Sequence, residues 1–341
     1  MKKLLALVLA LAMVLSVACA SAEGLVFQLA ETHAEGYPTS LADYEFARLV
    51  EERTEGRVKI EVYTGSQLAE SEATAIEMLQ AGTLGFTRVS ASPVASYVPA
   101  LNAIQMPYLY KNFDHMWAVL NGEIGQKMLA DIQTNVVDGK TSGLIGLCYY
   151  EAGDRSLYIT KEAYEKANFE AADLTGLKIR MQNNQMMLRM VELLGGTGVS
   201  GIGANEVYSS IQTGVVDGAE NNWPTYQNMG DYEAAQVYVL DGHTRVPEIL
   251  LMSEIASLMV SPEDLAIIKE CAKETQEYEI QQWKLKEESS EKIVREAGSQ
   301  IVELTPEQKA LYADKMAPLY AEFGADYTET IDAIKAVGEG F

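Results

Sequence analysis

Gly176-Leu177-Lys178-Ile179-Arg180-Met181-Gln182-Asn183-Asn184 predicts a short strand that runs directly into a helix. Apolar and polar residues alternate along the strand, and helical spacing begins at Met187 and stops at Gly195-Gly196. Such a junction presents free backbone N–H groups to an anion, and an arginine there can hold a carboxylate through two parallel hydrogen bonds. The stretch therefore indicates an α/β fold with a candidate anion site at Arg180. A surface ion pair of this arginine is the alternative.

Two α/β units are predicted around this junction. The N-terminal order β-α-β-α-β is typical of a mainly parallel sheet covered by helices. Its strands are predicted at 25–30, 57–63 and 84–89 and its helices at 40–56, opened by a Ser40/Asp43 capping box, and at 71–81. An apolar strand at 144–150 precedes the second unit, for which strands are predicted at 157–160, 177–182 and 215–216 and helices at 162–168, 187–194 and 206–212.

One long helix dominates the C-terminal part. Ser261 is placed to cap it, Pro262 suits its first position, and acids follow in its first turn. The helical pattern continues without a breaker to about Glu296, roughly 50 Å at the standard rise per residue. A helix of that length can brace two lobes. A strand at 300–303 and further helices complete the chain.

Composition limits the possible partners. The 341 residues suffice for two domains, and 48% hydrophobic with 22% charged residues is typical of a globular protein. The net charge of -23 argues against nucleic acid and anionic lipid surfaces as partners. Residues 1–22 have the pattern of a signal peptide cleaved after Ala22, with a lipid anchor at Cys19 as the alternative, so export is expected. Cys148 and Cys271 are expected to be buried thiols, although a disulfide remains open.

Catalytic and cofactor motifs are weak. Residues 196–201 match G-x-G-x-x-G but follow a helix, whereas a dinucleotide site requires a preceding strand. The chain has three histidines, which offer little for metal binding or base catalysis. His33, in the loop after the first strand, is the best placed for a ligand contact. We therefore predict no catalytic residue, no metal and no cofactor.

Polar residues at strand ends suggest a binding pocket instead. Arg88, Arg155 and Arg180 end strands or lie in adjacent loops, which is where open sheets bind ligands. With amides nearby in the sequence pattern, they suggest a pocket for a carboxylate that bears hydroxyls. Those amides are Asn183, Asn184, Asn221 and Asn222. Glu72, at the start of its helix, can accept hydrogen bonds from ligand hydroxyls. The alternative is that it only interacts favourably with the dipole of that helix. The aromatic residues Tyr149, Tyr150, Tyr208, Trp223 and Tyr226 fit core packing, with one or two stacking on a sugar as the alternative.

These segments resemble the substrate-binding proteins of tripartite ATP-independent periplasmic (TRAP) transporters, the DctP-like group. The resemblance covers the mature chain and is most specific at 173–180 and 206–221. Support in the same order comes from Gln67-Leu68, Gly82-Thr83-Leu84, Met106-Pro107-Tyr108 and Ser261-Pro262-Glu263-Asp264.

The resemblance implies an α/β venus-flytrap, the two-lobed periplasmic-binding-protein fold with a long C-terminal helix bracing both lobes. It implies a signal peptide at 1–22, a first lobe at 23–148 with about 222–255 returning to it, and a second lobe at 149–221 with part of the C-terminal region. The long spanning helix would cover 261–297, and a strand and helices 298–341. It also implies delivery of an organic acid to TRAP permease subunits outside the cytoplasm.

The resemblance assigns the ligand-binding roles as follows. Arg180 would hold the ligand carboxylate, Arg155 would assist it, and Asn221 would supply an amide. Glu72, Arg88 and Ser90 fall on segments that supply first-lobe contacts. His33, Asn222 and Gln182 complete the candidate set. The chain departs from the family at 197–201, where a Gly-rich stretch replaces the usual Pro-x-Pro, and at Gly203-Ala204, where an aromatic residue is common.

Residues 221–224 and 243–247 resemble members that bind hexuronates such as glucuronate or galacturonate. C4-dicarboxylates, other aldonates and keto acids remain alternatives. So do two further functions, an exported sugar-acid enzyme and a ligand sensor for a signalling receptor. The scarcity of histidine and of a lysine or tyrosine base in a motif speaks against the enzyme.

Overall fold

The computed structural model describes residues 24–137 and 139–341. The signal-peptide prediction for 1–22 and the lipid-anchor alternative at Cys19 lie outside the described residues. Two mixed sheets form the two lobes of the α/β fold, as predicted. In the part of the chain that the structure describes, no helix has both the length and the apolar character needed to cross a bilayer.

The first sheet has the strand order β2-β1-β3-β12-β6. β1, β2 and β3 pair in parallel, as the β-α-β-α-β order predicts, whereas β12 pairs antiparallel with both β3 and β6. β3 and β12 are buried along their whole length because helices cover both faces of the sheet. The strands are β1 Leu25–Ala30, β2 Val58–Tyr63, β3 Phe86–Ser90, β6 Leu144–Tyr150 and β12 Glu248–Ser253.

The second sheet has the order β13-β11-β7-β10-β8-β9. β10, β8 and β9 pair in parallel, and β7 runs antiparallel between β11 and β10. A small hairpin of β4 and β5 stands apart from both sheets. These strands are β4 Val136–Val137, β5 Lys140–Thr141, β7 Asp154–Ile159, β8 Lys178–Arg180, β9 Thr197–Val199, β10 Gly218–Asn221, β11 Val237–Arg245 and β13 Gln300–Glu303.

Helices pack on both sheets. In chain order they are α1 Pro38–Arg53, α2 Glu72–Gln80, α3 Ala91–Val94, α4 Phe113–Asn121, α5 Glu123–Thr134, α6 Lys161–Lys166, α7 Gln185–Leu193, α8 Val207–Gln212, α9 Trp223–Asn228, α10 Asp231–Ala234, α11 Glu254–Ser257, α12 Pro262–Glu296, α13 Pro306–Met316, α14 Pro318–Glu322 and α15 Thr328–Val337. Short 3₁₀ turns cover 99–105, 169–171, 204–206, 325–327 and 338–340.

The long helix α12 is the brace that the sequence predicts. Ser261 Oγ accepts a hydrogen bond from the backbone N–H of Asp264 at 3.0 Å, and Pro262 occupies the first position. Its N-terminal half packs on α1 and β6 of the first sheet, and its C-terminal half packs on α9 beside the second. The helix therefore contacts both lobes. Cys271 on this helix and Cys148 on β6 are buried free thiols, as expected.

Two local predictions are wrong for identifiable reasons. Ser40 does not cap a helix, because its hydroxyl donates to the carbonyls of Ala34 and Tyr37 and the helix already begins at Pro38. Residues 215–216 are not a strand, because both backbone N–H groups bond to the carbonyl of Ser210 and close α8. The strand starts afterwards, at Gly218.

The stretch 222–255, predicted to return to the first lobe, divides between the two sheets. β12 joins the first sheet, but β11 pairs with β7 and β13 in the second. α9 and α10 precede β11. The chain therefore crosses to the first sheet only at 246–247, just before β12, and not at 222.

Candidate functional site

A polar cavity of about 120 Å³ lies between the two sheets. It opens where β1, β3 and β8 end and where β12 begins, so it is built from strand termini and the loops that follow them. The sequence-predicted residues on its lining are His33, Glu72, Arg155, Arg180, Gln182, Asn221 and Asn222. The remaining lining residues, which include Asn183, one of the amides that the sequence suggested for the pocket, are Thr32, Ser71, Ala73, Pro93, Asn183, Gly201, Ile202, Gly203, Ala204, Thr225 and Glu248.

Arg180 has an unusual position for a nearly buried arginine. Its side chain lines the cavity and is 8% exposed. Nε and Nη2 both donate to the carbonyl of Ile202, at 3.0 and 2.8 Å, and no Asp or Glu of the described residues pairs with it. A buried guanidinium without a carboxylate partner favours an anionic ligand, because its charge is otherwise poorly compensated.

Arg155 lies on the same wall but is already paired. Its Nε and Nη2 bind the two carboxylate oxygens of Glu220 at 2.6 and 2.8 Å, and Nη1 donates to Asn221 Oδ1 at 3.0 Å. Burial raises the pKa of Glu220, but Arg155 and His243 outweigh burial and hold it at about 2. The carboxylate of Glu220 is therefore ionised and fixes the orientation of Arg155 toward the cavity.

Arg88 and Ser90 do not line the cavity, in contrast to their predicted contact roles. Arg88 is fully buried beneath the lining, because its guanidinium is surrounded by the carboxylates of Glu31, Glu72 and Glu248. Ser90 is buried as well, with its Oγ accepting from Gln182 Nε2 at 2.9 Å. Both residues can act on a ligand only through the side chains that they hold.

His33 lines the cavity and is held through one ring nitrogen. Nδ1 lies 2.8 Å from Nη2 of Arg88, 3.2 Å from Thr39 Oγ1 and 3.3 Å from Glu31 Oε1. Burial and Arg88 lower the pKa of His33, which keeps the ring neutral at pH 7. The ring also stacks on Tyr37, with centroids 3.9 Å apart. His33 therefore offers a neutral imidazole on the first-sheet side of the cavity.

Hydrogen bonds also join the two walls directly. Besides the bond between Gln182 and Ser90, Asn184 Nδ2 donates to the carbonyl of Ser92 at 2.9 Å. Tyr37 Oη and Thr225 Oγ1 lie 2.9 Å apart at the other side of the cleft. Each bond connects the first-sheet unit with the second. We call these three bonds the cross-cleft bonds.

Glu248 is the charged residue of the described lining that sequence reasoning missed. It starts β12, is 5% exposed, and its Oε2 lies 2.6 Å from Arg88 Nη1. The same Nη1 binds Glu72 Oε1 at 2.6 Å. Glu248 directly precedes the apolar run 249–252, so an acid at the start of a buried strand was the available signal.

The Gly-rich stretch in which this chain differs from the family pattern forms part of the wall next to Arg180. Gly201, Ile202, Gly203 and Ala204 line the cavity, and Ile202 supplies the carbonyl that holds the arginine. No Tyr, Trp or Phe belongs to the described lining, so stacking of those aromatics on a sugar is not seen. Across residues 24–137 and 139–341, no group of three or more His, Cys, Asp or Glu side chains is arranged to hold a metal.

Buried acids make stability depend on pH. Burial raises the pKa of Asp231 to about 6 and those of Glu248 and Glu287 to about 7. Their folded pKa values exceed the unfolded ones, so the folded protein binds more protons between about pH 4.5 and 7 and loses stability as pH rises. Burial lowers the pKa of His243, but Asp241 and Glu220 outweigh burial and raise the pKa to about 9. The loss of stability with rising pH therefore continues to about pH 9.

We expect the Tm of the ligand-free protein, measured by calorimetry, to be several degrees higher at pH 5.5 than at pH 8.5. His33, with its lowered pKa, opposes this trend below pH 6.5 but is a single group. The Glu248→Gln variant should have a shallower dependence because it loses one titrating acid. An equal or higher Tm at pH 8.5 would contradict this assignment of protons.

Comparison with known proteins agrees with this architecture. The sequence model of the family described as bacterial extracellular solute-binding protein, family 7 (DctP), matches residues 29–326. A solute-binding protein of Chromohalobacter salexigens is 34% identical over 297 residues, which cover 87% of this chain and 84% of that protein.

Two solved structures are also similar. A TRAP periplasmic solute-binding protein of Pseudomonas putida F1 with bound D-glucuronate aligns with a TM-score of 0.84 and 34% identity, over 92% of this chain and 97% of that one. A TRAP periplasmic solute-binding protein of Bradyrhizobium sp. in complex with α/β-D-galacturonate aligns with a TM-score of 0.84 and 33% identity, over 91% and 99%. The likeness therefore extends over nearly the whole of both chains.

Proposed function

Because the chain belongs to the DctP family of bacterial extracellular solute-binding proteins, we propose that it captures a hexuronate, D-glucuronate or D-galacturonate, for a TRAP transporter. The exported protein would close on the acid outside the cytoplasm and deliver it to the permease subunits in the membrane. A lipid anchor at Cys19 is compatible with the same role. The bound acid would leave unchanged.

The guanidinium of Arg180, which has no carboxylate partner among the described residues, is the observation that carries this proposal. In our assignment it binds the ligand carboxylate through Nη1 and Nη2, while the carbonyl of Ile202 keeps the group in place. Arg155 adds a second guanidinium on the same wall, whose charge is balanced by its pair with Glu220. The second-sheet side of the cavity therefore presents two guanidiniums to an acidic ligand.

The opposite wall suits the hydroxyls of a sugar acid. Glu72 and Glu248 provide carboxylate oxygens that accept hydrogen bonds, and His33 provides a neutral imidazole. Asn221 and Asn222, at the end of β10 on the second-sheet side, add amides to the lining. A plain dicarboxylate would leave these acceptors without donors, which is costly in a closed site. The similar structures with bound glucuronate and galacturonate support the same ligand class.

Thermal shift and calorimetry test the proposal directly. A tight ligand raises Tm by mass action, with about 4 kcal/mol of stabilisation at a thousandfold excess over Kd. We expect D-glucuronate or D-galacturonate to raise Tm and D-galactose, which lacks the carboxylate, to leave it unchanged. Recovery of the unaltered acid after incubation distinguishes capture from catalysis.

Three results would count against the proposal. A larger shift with a C4-dicarboxylate than with either hexuronate would change the ligand class. An equal shift with D-galactose would remove the carboxylate from recognition. Chemical conversion of the uronate would identify an enzyme.

A further inference from the structure

The first-sheet wall of the cavity concentrates negative charge around Arg88. Glu72 and Glu248 share its Nη1, and Glu31 binds its Nε at 2.9 Å as well as its Nη2. One guanidinium therefore forms ion pairs with three carboxylates. His33 adds no positive charge because its ring is neutral. This wall stays negative although an arginine lies at its centre.

The second-sheet wall has the opposite character. Arg155 is neutralised by Glu220, but Arg180 has no carboxylate partner among the residues that the structure describes. The cleft is therefore polarised, with an unpaired cation on one wall and an excess of carboxylates on the other. A bound molecule with a single anionic group matches this polarity in only one orientation.

We propose that Glu248, together with Glu72, excludes dianionic acids, so that the site takes only monoanions whose far end carries hydroxyls. This inference rests on the proposed function and narrows its substrate class. A second carboxylate on the ligand would meet two protein carboxylates in a desolvated cleft, whereas a hydroxyl at the same place donates to them. Such like-charge contacts are a common means of rejecting a competing ligand.

Glu248 contributes more to this discrimination than Glu72. The side chain of Glu72 is 22% exposed and that of Glu248 is 7% exposed, so water screens the first more than the second. Burial raises the pKa of Glu248 to about 7, and Glu72 and Glu31 add to the rise against Arg88. Glu248 is therefore fully ionised only above neutral pH. The charged or titratable groups near it are Arg88, Glu72, Glu31, Arg155, Glu279 and Tyr37.

D-Galacturonate and galactarate form a suitable test pair, because they differ by oxidation of C1 to a second carboxylate. We expect calorimetry at pH 8 to give galactarate a Kd about a hundredfold higher than galacturonate. In Glu248→Gln the ratio should fall about tenfold, mainly through tighter galactarate binding, because the amide is neutral and can donate. Glu70→Gln is the matched control: Glu70 is exposed and outside the lining, so the same change in net charge should leave the ratio as it was.

A measurement on the unaltered protein covers the case in which Glu248→Gln does not fold. At pH 5.5 Glu248 is protonated while galactarate remains a dianion, so the galactarate-to-galacturonate Kd ratio should be smaller than at pH 8. A galactarate-to-galacturonate Kd ratio that is the same at pH 5.5 as at pH 8, or that is near one at pH 8, would overturn the inference. Either result would leave hexuronate capture intact.

Gluconate and glucarate separate this inference from the proposed function. If gluconate binds while both hexuronates fail to bind, hexuronate capture is wrong. The ratio of the Kd values of glucarate and gluconate then shows whether the site excludes dianions. If only the dianions bind, both proposals are wrong.

Discussion

Replacement of Arg180 by alanine is expected to weaken hexuronate binding by about 3 kcal/mol or more, roughly a hundredfold. The substitution leaves a ligand carboxylate in the closed cleft without its charged partner. It should change the Tm of the ligand-free protein little, because the arginine contributes only hydrogen bonds to one carbonyl. Calorimetric Kd values for D-glucuronate and D-galacturonate, with the ligand-free Tm, test both parts.

Two further variants sharpen this experiment. Arg180→Lys keeps the charge but loses the planar fork, so it should recover only part of the affinity. Arg189→Ala removes an arginine whose partners, Glu192 and Glu322, lie on the surface, and should bind normally. Unchanged affinity in Arg180→Ala would remove this residue from ligand recognition.

The second large effect concerns stability. Arg88→Met is expected to lower the free energy of unfolding by about 3–5 kcal/mol, because Glu31, Glu72 and Glu248 lose the cation that they share. For a chain of this size the fall in Tm would be about 4–7 °C. Calorimetry without ligand measures it directly.

Arg48→Met provides the matched comparison on the surface. Arg48 pairs with Glu45 and Glu52 on the exposed side of α1, where solvent screens the charges, so Tm should hardly change. Similar Tm values for the Arg88 and Arg48 variants would show that the buried cluster adds no stability. Failure of Arg88→Met to fold would agree with the expectation.

The position of Arg180 at the end of a strand before a helix could be inferred from sequence because its signals are local. Strand periodicity and the following helix lie within about ten residues, and both are present in the structure. The long helix was equally accessible, since its cap and its uninterrupted pattern are adjacent in the chain. Local spacing determines the face on which a side chain lies, and this information suffices to predict the strand-to-helix junction and the long helix.

The positions of Arg88 and Glu248 could not be inferred in the same way. Glu248 Oε2 and Arg88 Nη1 belong to residues 160 positions apart, and Glu31 lies 57 positions from Arg88. An arginine that ends a strand can face a ligand or lie beneath the pocket lining, and only these distant carboxylates decide between the two. The division of 222–255 between sheets depends likewise on long-range pairing of β11 with β7.

The cross-cleft bonds of Gln182, Asn184 and Tyr37 form only when the two walls meet. They stabilise the shut conformation whichever acid is enclosed, and the apparent Kd of every ligand is inversely proportional to the fraction of molecules able to adopt that conformation. Under the proposed function, Arg180 and Glu248 on the lining would set the ranking of ligands. The bonds of Asn184 and Tyr37, which lie off the lining, would instead set a factor common to all of them. Affinity and selectivity can therefore evolve separately in this protein.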